Sequence, residues 1–207
     1  MKIRPEQVLL SKQDFEFNKI FVTGSDEILI DYVSKHLIQK FKKKNYHIDT
    51  SNEINQNLVG DLFSDKRILF FTKNIPENNS FLKTANFDQQ AFLFSSPNNK
   101  KNNKLKNVFL KQKDALVIEC YLLNKTAKEA VLKTLVDEEK IKISKDVFCY
   151  IVESLDDNFV LLKKQVQTLS LLKTKLVSVE EVGGLLFTKN KVELNFRGQV
   201  NYTGMIK

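Results

Sequence analysis

The strongest constraint on this chain is an alternation between Lys19 and Tyr121, where short β-branched or aromatic runs take turns with stretches of helical period. That order is the signature of a layered α/β domain built on a largely parallel sheet, because parallel strands need a crossover helix between them. The first run is Ile20-Phe21-Val22-Thr23, broken by Gly24. After the break Leu29, Val33, Leu37 and Phe41 recur every four residues, which predicts an amphipathic helix from about Asp26 to Lys43. A short strand is expected at Tyr46 to Asp49, then a helix with Ile54, Leu58 and Leu62 on one face and Val59 and Phe63 on the adjacent one. Buried strands fit Arg67 to Thr72, Ala91 to Ser95 and Ala115 to Cys120, the last two separated by a Lys/Asn-rich helix or loop from Asn98 to Lys113. Five strands with crossovers make a three-layer α/β unit.

Past Tyr121 the strand signals stop, and a domain boundary is expected near residue 122. Helices are expected from Lys128 to Glu139, from a Ser144 N-cap through Val147, Phe148, Ile151, Val152 and Leu155, and from about Asp157 to Lys173. In the last of these Phe159, Leu162, Val166 and Leu169 form the seam of a small helical bundle. A short helix opens at Ser178, and residues 188–207 show no period.

The turn after the first strand is where a phosphate-binding loop would sit. A P-loop needs GxxxxGK[ST], and Thr23-Gly24-Ser25-Asp26-Glu27-Ile28 has neither the second glycine nor the lysine. Asp26 and Glu27 put carboxylates at the positive end of the helix, where they favour the helix dipole and repel a phosphate; Ser25 is the expected cap. No other constellation carries chemistry. His36 and His47 have no Cys, Asp or Glu at ligand spacing around both, so neither a metal, a cofactor nor a catalytic residue is expected. Cys120 and Cys149, flanked by apolar residues and without a CxxC, read as reduced core thiols. The start, Met1-Lys2-Ile3-Arg4-Pro5, has no apolar h-region and no apolar run approaches membrane-spanning length, so a cytoplasmic protein without a membrane partner is expected.

The net charge of +8 directs attention to polyanions. Lysines gather at Lys40, Lys42, Lys43 and Lys44 and again at Lys100, Lys101, Lys104, Lys106, Lys111 and Lys113. The second run could touch DNA through phosphates. Without interleaved aromatic or base-reading groups such contact would be weak and non-specific. The stretch Gly60-Asp61-Leu62-Phe63-Ser64-Asp65-Lys66-Arg67 places two large apolar residues before a polar turn, where a side chain can plug a partner's pocket. Leu62 equally continues the Ile54-Leu58 stripe into a core. The residues alone do not choose, although Phe63 is the better candidate for exposure.

The order of these features resembles the delta subunit of the bacterial DNA polymerase III clamp loader. The likeness is carried by Ile20-Phe21-Val22-Thr23-Gly24-Ser25-Asp26-Glu27, by Asp61-Leu62-Phe63-Ser64-Asp65-Lys66-Arg67-Ile68-Leu69, and by the strand Ala115 to Cys120 leading into helices. The resemblance implies an AAA+-like domain over residues 1–122 with a mainly parallel five-stranded sheet and no functional P-loop, followed by a helical lid over residues 123–187. It also implies that Leu62 and Phe63 enter a hydrophobic pocket of the sliding clamp, the beta subunit, and help open the ring during DNA replication without ATP hydrolysis. Such a chain has no catalysis of its own but belongs to a DNA-directed DNA polymerase holoenzyme and meets other clamp-loader subunits. Two departures accompany the likeness. Gln165 stands where the family commonly has a glutamate, and residues 188–207 leave no room for the family's collar domain. Two further readings are a P-loop enzyme, which the missing Gly-Lys-Ser opposes, and a basic nucleic-acid-binding α/β module.

Overall fold

The computed structural model describes residues 1–11, 17–50, 67–73, 89–98, 100–171 and 179–185. Contacts divide the chain into two compact units, Met1–Tyr121 and Leu122–Lys207. In the first unit the strands are β1 (Lys2–Ile3), β2 (Lys19–Gly24), β3 (Tyr46–Asp49), β4 (Arg67–Thr72), β5 (Gln90–Ser95) and β6 (Ala115–Cys120). They form one sheet in the order β1-β6-β2-β5-β4-β3, every pair parallel. Its helices among the described residues are α1 (Pro5–Leu10), α2 (Glu27–Lys43) and α3 (Lys100–Leu110).

Among the described residues the sheet thus has six strands rather than the five expected. The addition is β1, whose Lys2 and Ile3 lie against Val117 and Ile118. Two residues are too few to leave a period of two, so this edge strand has no sequence signature of its own. The same holds for α1, which Pro5 opens at its first position.

Every residue of β2, β5 and β6 is buried, as central parallel strands require when helices cover both faces. One face carries Phe21, Phe92, Phe94, Ala115 and Val117, which pack with Leu105 and Phe109 of α3. Phe94 and Phe109 meet edge to face at 5.8 Å between centroids, and Phe70 stacks on Phe92 at 5.2 Å. The opposite face lies under α2: Ser34 Oγ donates to Ser95 Oγ at 3.0 Å, and Leu29, Ile30, Val33 and Leu37 are buried. Three layers result. The charged members of the central strands are paired, Lys19 with Asp114 at 2.7 Å and Glu119 with Lys2 and Lys106.

The second unit is helical, with α4 (Lys125–Glu138), α5 (Lys145–Ser154), α6 (Phe159–Ser170) and α7 (Val179–Leu185). α4 packs on α5 and α6, and α5 on α7, around Val131, Leu132, Leu135, Val147, Ile151, Phe159, Leu162, Val166, Leu169 and Val182. α4 begins three residues earlier than its apolar spacing predicts, because Asn124 caps it by accepting from Ala127 N. Asn158 caps α6, accepting from Val160 N and Leu161 N. Helix α4 ends in a Schellman turn: Ile141 N donates to Val136 O and Lys140 N to Asp137 O, with Lys140 at φ 55°.

Candidate functional site

In an open parallel sheet, ligands bind beyond the carboxyl ends of the strands where the strand order reverses. Here that switch point is the end of β2. The chain leaves β2 for the far edge at β3, returns through β4 to β5, and then crosses β2 to form β6. Gly24 closes β2 at φ 148°, and a Cβ built there would lie 1.9 Å from Cys120 O. Only glycine fits so close to the backbone of β6. Protein groups fill the place further: Asp26 N donates to Cys120 O at 3.2 Å, Asn98 N to Gly24 O at 2.8 Å and Ser96 N to Val22 O at 3.1 Å.

Only Ser25 and Asp26 separate Gly24 from the first residue of α2. The cap is Asp26, not Ser25. Asp26 is buried and its carboxylate accepts from Leu29 N at 3.0 Å, whereas Ser25 is exposed. The carboxylate accepts from one of the N–H groups that would otherwise face an anion, and its charge opposes a phosphate. The Cys120 thiol beside this turn is pushed up in pKa by burial, and then by the negative charges of Asp26 and Glu6, so it stays protonated and inert. Cys149, expected in the core, is exposed on α5. It sits two positions after Val147, so its helical angle points away from the face that Val147 and Ile151 bury.

The remaining candidate residues are scattered. Leu62 and Phe63 lie outside the described residues, as does the helix expected around them. Lys100 and Lys101 fall in the first turn of α3, their side chains outside the described set, and Lys104 on the same helix is exposed. Lys106 is only 21% exposed and pairs with Glu119 of β6, as does Lys2. Burial pushes the Glu119 carboxyl up, but the hydrogen bonds from Lys106 and Lys2 and their charges outweigh it and hold the carboxyl below its usual range. At the end of α2, Lys42 and Lys43 are exposed and complement the helix dipole. Among the described residues no three His, Cys, Asp or Glu side chains gather as a metal site, and no helix is long and apolar enough to cross a membrane.

The helical unit holds a polar hub that residue spacing did not reveal. Lys128 is buried, and its ammonium donates to Leu155 O at 2.6 Å and to Asp157 Oδ1 at 2.9 Å. Gln165 Oε1 accepts from Asp156 N at 3.1 Å, so the amide serves the turn between α5 and α6 directly. The acidic pair Asp156-Asp157 is the only trace of this in the sequence: one carboxylate accepts from Asn158 N at 2.8 Å, the other meets Lys128.

No family model matches the chain, and no curated protein matches it. Solved structures do. The DNA clamp loader delta protein of Bacillus subtilis superposes with a TM-score of 0.51 at 16% identity, over 89% of this chain and 65% of that one. The RuvB Holliday junction branch migration motor of Thermotoga maritima gives 0.47 at 12% identity, over 82% of this chain and 61% of that one. Domain III of the replication initiation protein DnaA of Thermotoga maritima gives 0.45 at 18% identity, over 84% of this chain and 85% of that one. The chain therefore spans about 65% of the length of the clamp loader delta protein and has its fold.

Proposed function

We propose that this chain is a delta-type clamp-loader subunit: an AAA+-like domain with a closed nucleotide position, carrying a helical lid, that binds a sliding clamp and favours its open ring. One observation carries the reading, the fold shared with a clamp loader delta protein. The geometry after β2 supports it, since the Gly24 backbone lies against Cys120 and the Asp26 carboxylate takes one of the N–H groups at the start of α2. Opening then draws on differential binding, in which contacts made better with the open ring shift its population without ATP hydrolysis by this chain. Leu62 and Phe63 are the side chains assigned to the clamp's pocket, and Lys100, Lys101 and Lys104 the assigned DNA-facing cations. Lys106 contributes less, its charge being shared with Glu119. The partners are the beta-type ring, other loader subunits and, weakly, DNA, as part of a replicative polymerase holoenzyme in the cytoplasm.

The test is binding of the full chain to the sliding clamp from the same source, compared with a Leu62→Ala, Phe63→Ala double variant. A loss of about 2 kcal/mol or more, the range of interface hot spots, is expected. Absence of wild-type binding, or binding untouched by the double change, overturns the reading. A basic nucleic-acid module, favoured by the exposed Lys104, Lys111 and Lys113, instead predicts DNA affinity that falls steeply with salt and ignores Leu62 and Phe63.

A further inference from the structure

The second unit carries a groove of about 460 Å³ between the end of α4 and the start of α5, spanned by the residues of the connecting turn. Its size falls within the range of specific binding clefts. Its floor is apolar: Val136 is buried, and Ile141, Ile143 and Phe148 are half-buried, each with surface left uncovered. The Schellman turn fixes this floor, since Ile141 N is tied to Val136 O and the two side chains come from positions that meet in that motif. Ser144, capping α5 through Val147 N, sets the other wall, from which Phe148 projects one turn on.

The rim has a sign. Lys133, Lys142 and Lys145 line it, all exposed, against the single carboxylate of Asp137. Among the described residues none of the three lysines has an ion-pair partner, although Lys2, Lys19, Lys73, Lys106, Lys125 and Lys128 all do. Glu138, Glu139 and Asp146 lie nearby in sequence but do not line the groove. An apolar floor inside a cationic rim complements a chain that alternates carboxylates with an aliphatic or aromatic anchor. A nucleic acid would satisfy the rim but leave the floor uncovered, because no aromatic face is fully presented for a base to stack on.

We propose that this groove docks a short acidic segment of a partner protein, one apolar side chain resting on Val136, Ile141, Ile143 and Phe148 while carboxylates meet Lys133, Lys142 and Lys145. The proposal is independent of the clamp reading, which concerns Leu62 and Phe63. The test uses the full chain and a fluorescein-labelled capped peptide of Asp and Glu around a central Leu-Leu pair, read by anisotropy at low salt. Saturable binding is expected, weakened by added salt, lost when the Leu pair becomes Gly-Gly, and reduced about tenfold or more by the triple Lys133→Glu, Lys142→Glu, Lys145→Glu variant. Those three side chains are exposed, so the variant keeps its fold, checked by its circular dichroism and melting temperature. Phe148→Ser, held to the same folding check, tests the floor separately. The proposal is overturned by non-saturable binding, or by binding that the triple variant leaves intact. It is equally overturned if a single-stranded oligonucleotide, not the peptide, binds in a manner the triple variant abolishes. Self-association of the wild type that the triple variant removes would make a second copy the occupant and overturn it too.

Discussion

Gly24 shows how much one residue can decide. At φ 148° it adopts a backbone conformation that side chains rarely reach, and its missing Cβ is where the Cys120 carbonyl sits, 1.9 Å away. Gly24→Ala is therefore expected to cost about 3 kcal/mol or more, since neither backbone can yield, and urea titration of the variant measures it. Glu119 contributes to the acid limb, as does Asp114, whose carboxyl the hydrogen bond from Lys19 holds below its usual range. The folded pKa of Glu119 lies below its unfolded value, so its stabilisation is complete above the unfolded value, about pH 4.3, and fades as pH falls through the folded one. Glu119→Gln should be less stable than the wild type by about 1–3 kcal/mol at neutral pH, and the difference should shrink as pH falls below the unfolded value; a variant whose pH profile parallels the wild type would remove Glu119 from that role. At this scale the sequence was legible in kind but not in address. Acidic residues at the start of α2 were readable, yet which of Ser25 and Asp26 turns its oxygen to Leu29 N depends on the two-residue link to Gly24, a tertiary constraint. Cys149 misled because apolar neighbours in sequence lie on other faces of the helix.

Elements follow the apolar period where they are long and lose it where they are short. Helix α2 and strands β3, β4 and β6 lie where the spacing puts them; α2, β4 and β6 bury a stripe or a run of their residues, whereas β3 is only partly covered. β1 and α1 escape it: their stability comes from β6 and α2, and partners distant in sequence leave no local pattern. Helix ends are a matter of caps, and Asn124 and Asn158 move α4 and α6 away from the limits of their apolar residues. The end of α4 carries a testable cost. Lys140 holds the left-handed position of the Schellman turn at φ 55°, where glycine is free of the Cβ penalty. Lys140→Gly should raise stability by about 1 kcal/mol in a thermal or urea titration, and destabilisation would mean that the lysine side chain supports the turn in some other way.

At the scale of the molecule, the α/β class and parallel sheet were legible because crossovers force alternation on the sequence. Of the candidate site, the sequence showed a first turn without the second glycine and the lysine of a P-loop, and at that turn Cys120, Asn98 and Asp26 groups make hydrogen bonds. The lysine hub at Lys128 and the groove above α4 were not legible, since both bring together residues whose separation in the chain carries no period. The closed turn predicts that millimolar Mg-ATP leaves the melting temperature unchanged. A rise would require binding to the native state, and so a turn that opens.

The strand order also dictates when the molecule can exist at all. β2 takes one neighbour from residues 92–95 and the other from residues 115–120, while Lys2 waits for Val117. A chain emerging from the ribosome thus leaves one edge of β2 unpaired until residues 115–120 have been synthesised, and the first unit can close only once β6 is in place. Its folding is a late event with high contact order, whereas α4 to α6, whose partners are tens of residues apart at most, can assemble quickly once made.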